Sequence, residues 1–341
     1  MKVLVAGNLG YVGPLVVAEL RRQGHEVWGF DAGYFEPCLT VLASRPLSRP
    51  DCQLYGDIRN FPVDLLVSFD SVVCLAAISN DPMGKAFEAV TDKVNCLSTV
   101  ALAALSRVCG VESFVFASSC SVYGNATGVV NEDAPVNPLT AYARSKIEAE
   151  LALRRLADSE LAVTCLRFAT ACGMSDRLRL DLVLNDFVTS ALVNRCVELK
   201  SSGMAYRPLI DVSDMARACA WAASRRGSGF SVYNTGQAGW NFRIRDLAEA
   251  VGKQFGVPVK YGAESEHDTR SYQVDFARFA ADAPGVLQGQ IEETLCQVMA
   301  GLHGIGFDDS DFRNSHFARL PHLRYLIATR LLDNQLNWIR E

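Results

Sequence analysis

Positive charge is not in excess: 33 Lys and Arg against 38 Asp and Glu leave a formal net charge of −5. A nucleic-acid binder needs a basic face to displace counterions from phosphates, so the balance argues against that class. No apolar run approaches the roughly 20 residues that cross a bilayer, which argues against a membrane span. The opening Met1–Gly7 is too short in its apolar part for a leader and runs straight into a glycine turn, so it reads as a first strand. The eleven cysteines are odd in number and include no CxxC pair. That is a pattern of buried thiols in a reducing compartment, the cytoplasm, and not of a disulfide framework. The five histidines form no HExxH or other ligand spacing, and no metal is expected. Linker-like Gly/Pro clusters, internal repeats and low-complexity tracts are also missing.

What is present is the composition of a folded protein, 49% hydrophobic and 21% charged over 341 residues. At roughly 150 residues per domain, that length suggests two domains. Short β-rich runs at Val3–Ala6, Glu26–Phe30, Ser71–Ala77, Ser113–Ala117 and Ala162–Phe168 alternate with helical stretches at Gly13–Gln23, Lys85–Cys109 and Thr140–Asp158. On the second of these helices Phe87, Val90, Val94, Leu97, Ala101, Ala104 and Val108 recur at three-four spacing, as core or as an interface. Alternation of this kind predicts crossover βαβ units and a mostly parallel, doubly wound α/β sheet. After about residue 170 the rhythm changes. Arg177–Leu182 alternates polar and apolar, and a solvated strand edge would account for Arg177 and Arg179. Asn185–Arg195 reads as a helix. Pro208–Val212, a helix through Ala222 and the strand Ser231–Asn234 return to α/β style. The expected division is therefore interleaved: 1–170 with 205–236 in one unit, 171–204 and 237–341 in a smaller second one. Asp308–Glu341 reads as helical and amphipathic, covering either the site or an interface.

Gly7-Asn8-Leu9-Gly10-Tyr11-Val12-Gly13 is GxxGxxG, set directly after a strand and opening a helix. Glycines allow a tight turn and let the backbone approach a pyrophosphate, which the helix N-terminus faces. Asp31 ends the second strand, where an acid hydrogen-bonds adenosine ribose hydroxyls and repels a 2′-phosphate; this favours NAD. Tyr142-Ala143-Arg144-Ser145-Lys146 is YxxxK on a helix, with phenol and ammonium one turn apart on one face. An adjacent ammonium lowers a phenol pKa and makes Tyr142 a plausible acid/base. Ser118-Ser119-Cys120-Ser121-Val122-Tyr123-Gly124 follows an apolar strand, at the sheet edge where such folds bind substrate.

Taken together, these residues resemble the extended short-chain dehydrogenase/reductase family, in its NAD-dependent nucleotide-sugar epimerase/dehydratase branch. The resemblance covers nearly the whole chain and is strongest over residues 1–170. It implies a Rossmann-type fold and a smaller substrate domain. It assigns NAD to Gly7, Gly10, Tyr11, Val12, Gly13, Asp31, Asp57, Ile58, Leu75, Ala76, Ala77, Asn95, Tyr142 and Lys146. It also implies catalysis by Ser119, Tyr142 and Lys146, with Tyr142 taking the proton of a sugar hydroxyl, Lys146 holding the nicotinamide ribose and Ser119 bonding the reacting oxygen. On the substrate side it points to Ser79, Ser119, Thr170, Asn185, Arg207 and Arg270, the two arginines clamping a nucleotide diphosphate.

Departures from the family pattern narrow the chemistry. Dehydratases of this type carry an Asp-Glu pair where this chain has Cys120 and Ser121, and glucuronate decarboxylases carry a glutamate in place of Ser121. Family 3,5-epimerases use a cysteine at the position of Ser121; Cys120, one residue off, points to the opposite side of an extended segment and reads as a packed thiol. The expectation is thus an NAD-dependent nucleotide-sugar epimerase acting at C4, with a nucleotide-4-keto-sugar reductase as the alternative. A dinucleotide sensor without chemistry is disfavoured because both Tyr142 and Lys146 are present. A homodimer through the helices near 85–109 and 140–158 is also implied.

Overall fold

The structure, a computed structural model, describes residues 1–40, 47–199, 201–227, 229–262 and 270–339. Strand β1 (Lys2–Ala6) is followed by helix α1 (Gly13–Arg22), which carries Pro14 in its first turn and buries Val16, Val17 and Leu20. Proline suits that turn because its missing N–H has no helical partner there. Then come β2 (Glu26–Asp31), β3 (Cys52–Tyr55) and β4 (Ser71–Cys74). The sequence reading missed β3, a half-exposed edge strand without a continuous apolar run. The strand expected to reach Ala77 stops at Cys74, because the N–H groups of Leu75 and Ala76 both turn onto the Ala6 carbonyl.

The predicted long helix at 85–109 is four pieces. These are α2 (Asp81–Ala86), α3 (Glu88–Asp92), a π-helical segment at Lys93–Ser98 and α4 (Thr99–Val108). It starts earlier than expected because the Asn80 side chain accepts from Met83 N at 2.8 Å, an N-cap. A π turn holds an extra residue and so rotates everything beyond it. The apolar stripe is consequently not continuous. Val90 is buried ahead of the turn, whereas Leu102, Ala103 and Ser106 form the buried face after it, leaving Leu97 and Val108 exposed.

The remaining elements are β5 (Ser113–Ser119), β6 (Asn125–Val130), α5 (Ala141–Arg154), β7 (Ala162–Phe168), β8 (Thr170–Cys172), α6 (Val183–Val193) and β9 (Val197–Leu199). They continue with β10 (Tyr206–Asp211), α7 (Val212–Ala223), β11 (Phe230–Thr235), β12 (Asn241–Arg243), α8 (Ile244–Phe255), β13 (Val259–Tyr261) and β14 (Ser271–Val274). Helices α9 (Ala277–Asp282), α10 (Ile291–Gly304) and α11 (Arg319–Ala328) follow. Arg177–Leu182 forms no strand: Leu178 and Leu180 enter a core beside α6 and α8, and Arg177 and Arg179 are buried as well.

Seven parallel strands form the central sheet in the order β11-β7-β5-β4-β1-β2-β3. Alternating residues of β1 face opposite layers. Val3 and Val5 pack with residues of α1 and α7, while Leu4 and Ala6 pack with residues of α4 and α5. This is a Rossmann-type doubly wound α/β sheet, and its strand order reverses at β1, so a crevice opens at the carboxyl ends of β1 and β4. In the 205–236 stretch, β11 edges this sheet, whereas β10 pairs with β8 and β12 outside it. A second core gathers α6, α8 and α10. Among the described residues, no helix is long and apolar enough to cross a membrane.

Candidate active site

A cleft of about 660 Å³ lies at the carboxyl ends of the strands. The glycine loop forms one wall, and its glycines are needed sterically. Gly7 has φ +90°, and a Cβ there would meet Ala76 N at 2.5 Å; a Cβ on Gly13 would meet Asn8 O at 2.3 Å. Such a bare turn at the start of α1 suits a dinucleotide pyrophosphate. Gly7, Gly10, Tyr11, Val12, Gly13, Asp31, Asp57, Ile58, Leu75, Ala76 and Ala77 all line the cleft. Asp31 accepts from Leu9 N at 2.9 Å and Gly33 N at 2.8 Å. Burial pushes its carboxyl up, against those two N–H groups and Arg177, which pull it down.

Asn95 does not line the cleft. It is fully buried behind it, where its amide accepts from Ile78 N at 2.8 Å and donates to Ile78 O and Ser145 Oγ, each at 3.1 Å. It therefore ties the 75–79 loop to α5.

Ser119, Tyr142 and Lys146 converge on the opposite wall. Thr140 caps α5, its hydroxyl accepting from Ala143 N at 3.1 Å, and this sets Tyr142 in the helix's first turn. The Ser119 hydroxyl lies beside Tyr142, and its Oγ accepts from Ser121 N at 3.1 Å. Lys146 is almost completely buried; its Nζ donates to Ala117 O at 2.7 Å and lies 4.6 Å from the centre of the Phe116 ring and 5.7 Å from that of Tyr142. The expected lowering of the phenol by this ammonium does not appear. Burial raises Tyr142 above the ordinary tyrosine range, against the neighbouring Ser119 hydroxyl and the charge of Arg179. Burial likewise pulls the ammonium down to about 8. Desolvation dominates both groups: Lys146 is buried against β5, and half-buried Tyr142 is enclosed by the walls of the cleft.

The substrate end is partly as read. Ser79, Thr170, Arg207 and Arg270 line the cleft. Arg207 stacks over Tyr272 and donates to the carbonyls of Tyr206 at 2.7 Å and Arg270 at 2.5 Å. Arg270 pairs with Asp81; its neighbours Asp268 and Thr269 in the sequence motif lie outside the described residues. Asn185 is buried beside the cleft and is not among its lining residues. It accepts from Gly173 N at 3.0 Å and donates to Arg179 O at 2.9 Å and the Tyr11 hydroxyl at 3.2 Å. Tyr11 is likewise tied down, donating to Gly173 O at 2.6 Å.

Cys120 packs into the core and donates to Arg167 O at 3.1 Å, burial raising its thiol, while Ser121 lines the cleft. Neighbouring residues thus face opposite ways. The cleft also holds residues that sequence reasoning missed. Arg179 is buried, pairs with Asp181 at 2.8 Å and donates to Ser79 Oγ at 3.1 Å; Arg319 and Leu336 come from the C-terminal segment. Among the described residues the only metal-ligand-type cluster, Asp92, Cys96 and Glu148, lies outside this cleft.

Comparison with known proteins agrees with this geometry. Residues 3–236 match the NAD dependent epimerase/dehydratase family. A UDP-glucose 4-epimerase of Bacillus subtilis is 27% identical, the match covering 76% of this chain and 84% of the relative. One from Corynebacterium glutamicum is 26% identical over 76% and 82%. The solved structure of MoeE5 in complex with UDP-glucose and NAD is similar with TM-score 0.77 at 29% identity, covering 89% of this chain and 99% of that one. The chain is an enzyme of the NAD dependent epimerase/dehydratase family.

Proposed function

We propose that the protein epimerises a nucleotide-diphosphate sugar at C4. The observation that carries this reading is that Ser119 and Tyr142 line the cleft together with the glycine loop, with no free carboxylate next to them among the described residues. Elimination of water needs its own acid and base. The carboxylates that line the cleft are otherwise engaged: Asp31 by backbone N–H groups, Asp57 by Arg59, Asp81 by Thr140 and Arg270, Asp181 by Arg179. Positions 120 and 121 offer only a buried thiol and a hydroxyl.

In this reading Tyr142 removes the proton of the sugar 4-hydroxyl and later returns it, and Ser119 holds the same oxygen. Lys146 fixes the nicotinamide ribose, anchored through Ala117 O. Bound NAD supplies the hydride acceptor and, after the 4-keto sugar has turned over, the hydride donor. Arg207 and Arg270 hold the diphosphate of the substrate, their planar forks suiting phosphate oxygens. The likeness to UDP-glucose 4-epimerases makes UDP-glucose the first substrate to test.

The same reading includes a homodimer. Leu97, Val108 and Leu151 are 58%, 84% and 56% exposed on the helices of residues 81–108 and on α5, apolar surface that a second copy would cover. Eleven unpaired cysteines support a reducing compartment, the cytoplasm. The two-unit division, 1–170 with 205–236 against 171–204 with 237–341, belongs to the same proposal.

The test is to incubate the purified protein with UDP-glucose, without added cofactor, and follow the sugar by NMR. Formation of the C4 epimer, with stoichiometric NAD released on denaturation, supports the reading. Protein that arrives empty, forms no epimer and oxidises NADH with a nucleotide-4-keto sugar replaces it with the reductase.

A further inference from the structure

We infer that Arg319, acting with Arg179, clamps the diphosphate of NAD from the side facing the glycine loop. Arg319 opens α11 in the C-terminal segment and is 1% exposed, yet it lines the same cleft as Gly10, Tyr11, Val12 and Arg179. Its Nη2 donates to Arg177 O at 2.8 Å and its guanidinium lies over Phe35, but Nη1 has no partner. Among the described residues Arg319 and Arg177 make no ion pair, and the paired carboxylate of the cluster, Asp181, belongs to Arg179. Burial brings Arg319 down to about 10; Cys38 pulls it back up, and Arg179, Asp181 and Arg177 follow with smaller effects of alternating sign. A buried cation with an unused N–H and two cationic neighbours is costly unless an anion completes it.

The anion is identified by where the cluster is held. Ser175 Oγ donates to Tyr11 O at 2.6 Å and Tyr11 donates to Gly173 O at 2.6 Å, so the segment bearing Arg177 and Arg179 is strapped onto the glycine loop. That loop and the α1 N-terminus are where a dinucleotide diphosphate sits in this fold. In the proposed function the diphosphate of the substrate is held by other arginines, Arg207 and Arg270. The inference rests on NAD as the cofactor and not on which sugar is turned over.

Full-length Arg319→Met and Arg319→Lys proteins test it. Bound NAD is stripped and re-titrated, UDP is titrated at saturating NAD, and thermal unfolding is followed with and without NAD. Arg319→Met is expected to weaken NAD about ten- to a hundredfold, the scale of hydrogen bonds to a charged group. UDP affinity should stay unchanged, the stripped protein should melt no lower than the parent, and the NAD-induced rise in Tm should shrink. Arg319→Lys, which keeps charge without the fork, should fall between and carries the comparison if the methionine protein does not fold. Unchanged NAD affinity overturns the inference. So does a loss confined to UDP, which would make Arg319 a substrate residue, or a lowered Tm without NAD beside unchanged NAD binding, which would make it structural.

Discussion

Lys146 donates to the carbonyl of Ala117 at 2.7 Å while the Tyr142 ring centre stays 5.7 Å from its ammonium. The lysine is therefore aimed by β5, the strand that also ends in Ser119, and one main-chain carbonyl sets the spacing of the whole trio. Burial makes this an expensive place for a charge, with the ammonium lowered to about 8.

That burial has a sign. Between pH 8 and the unfolded lysine value near 10.5, the unfolded chain binds the proton more tightly than the folded one, so this group makes stability rise with pH across the window. Below about 8 the penalty is complete. Lys146→Met should thus raise the stability of the cofactor-free protein at pH 7 by up to about 3 kcal/mol, less the lost Ala117 bond. The gain should disappear toward pH 10.5. Parallel urea titrations of both proteins at several pH values check it; a difference that grows with pH contradicts the assignment.

Tyr142→Phe removes only the phenol oxygen, and Ser119→Ala removes the neighbouring hydroxyl. Turnover should fall by about 10²–10⁴ in the first variant, the usual worth of an acid/base group, with NAD content retained. The serine variant should lose less, because Tyr142 keeps its proton-transfer role. Near-normal turnover by Tyr142→Phe, measured under single-turnover conditions, would remove this tyrosine from the chemistry.

Behind β5, Arg167 donates to Glu150 from Nε at 3.0 Å and from Nη2 at 2.7 Å, and both side chains are almost fully buried. Ser118 also donates to Glu150, and Arg167 Nη1 donates to the Tyr123 hydroxyl at 3.0 Å. Glu150→Gln leaves the guanidinium uncompensated and should cost about 3–5 kcal/mol. Denaturant unfolding measures it, and a loss under about 1 kcal/mol would mean that water reaches the pair.

Gly7→Ala combines φ +90° with a Cβ 2.5 Å from Ala76 N. Neither strand end yields easily, since Gly7 N donates to Phe30 O at 2.8 Å and Ala76 N to Ala6 O at 2.9 Å. A destabilisation of about 2–4 kcal/mol is expected, together with loss of bound NAD, read by thermal unfolding and by nucleotide release.

The parts of the site visible in the sequence are those whose chemistry is local. Gly7, Gly10 and Gly13 announce a turn at fixed spacing, and Tyr142 and Lys146 lie one helical turn apart, so neighbours in sequence are neighbours in space. Ser119 was visible because an apolar strand ends at it. Arg319 was not, for its partner carbonyl on Arg177 lies 142 residues away and no local pattern records such a meeting. Arg177 and Arg179 looked like a wet strand edge because alternation with leucine fits that equally well; only the fold buries both faces. For Asn185 a matching position does not show what the amide bonds, which here is Gly173, Arg179 and Tyr11. The π turn at Lys93–Ser98 likewise leaves no mark in composition, and shows only in which side chains are covered afterward.

Arg59, next to Asp57 and Ile58, donates to Gln335 O at 2.6 Å and Leu336 O at 3.0 Å, while Tyr34 donates to Leu336 O. The end of the cleft next to the second and third strands is thus finished by residues made almost three hundred positions later. That wall is complete only when the segment around Leu336 has docked onto Arg59 and Tyr34, so the two ends of the sequence close one cleft together.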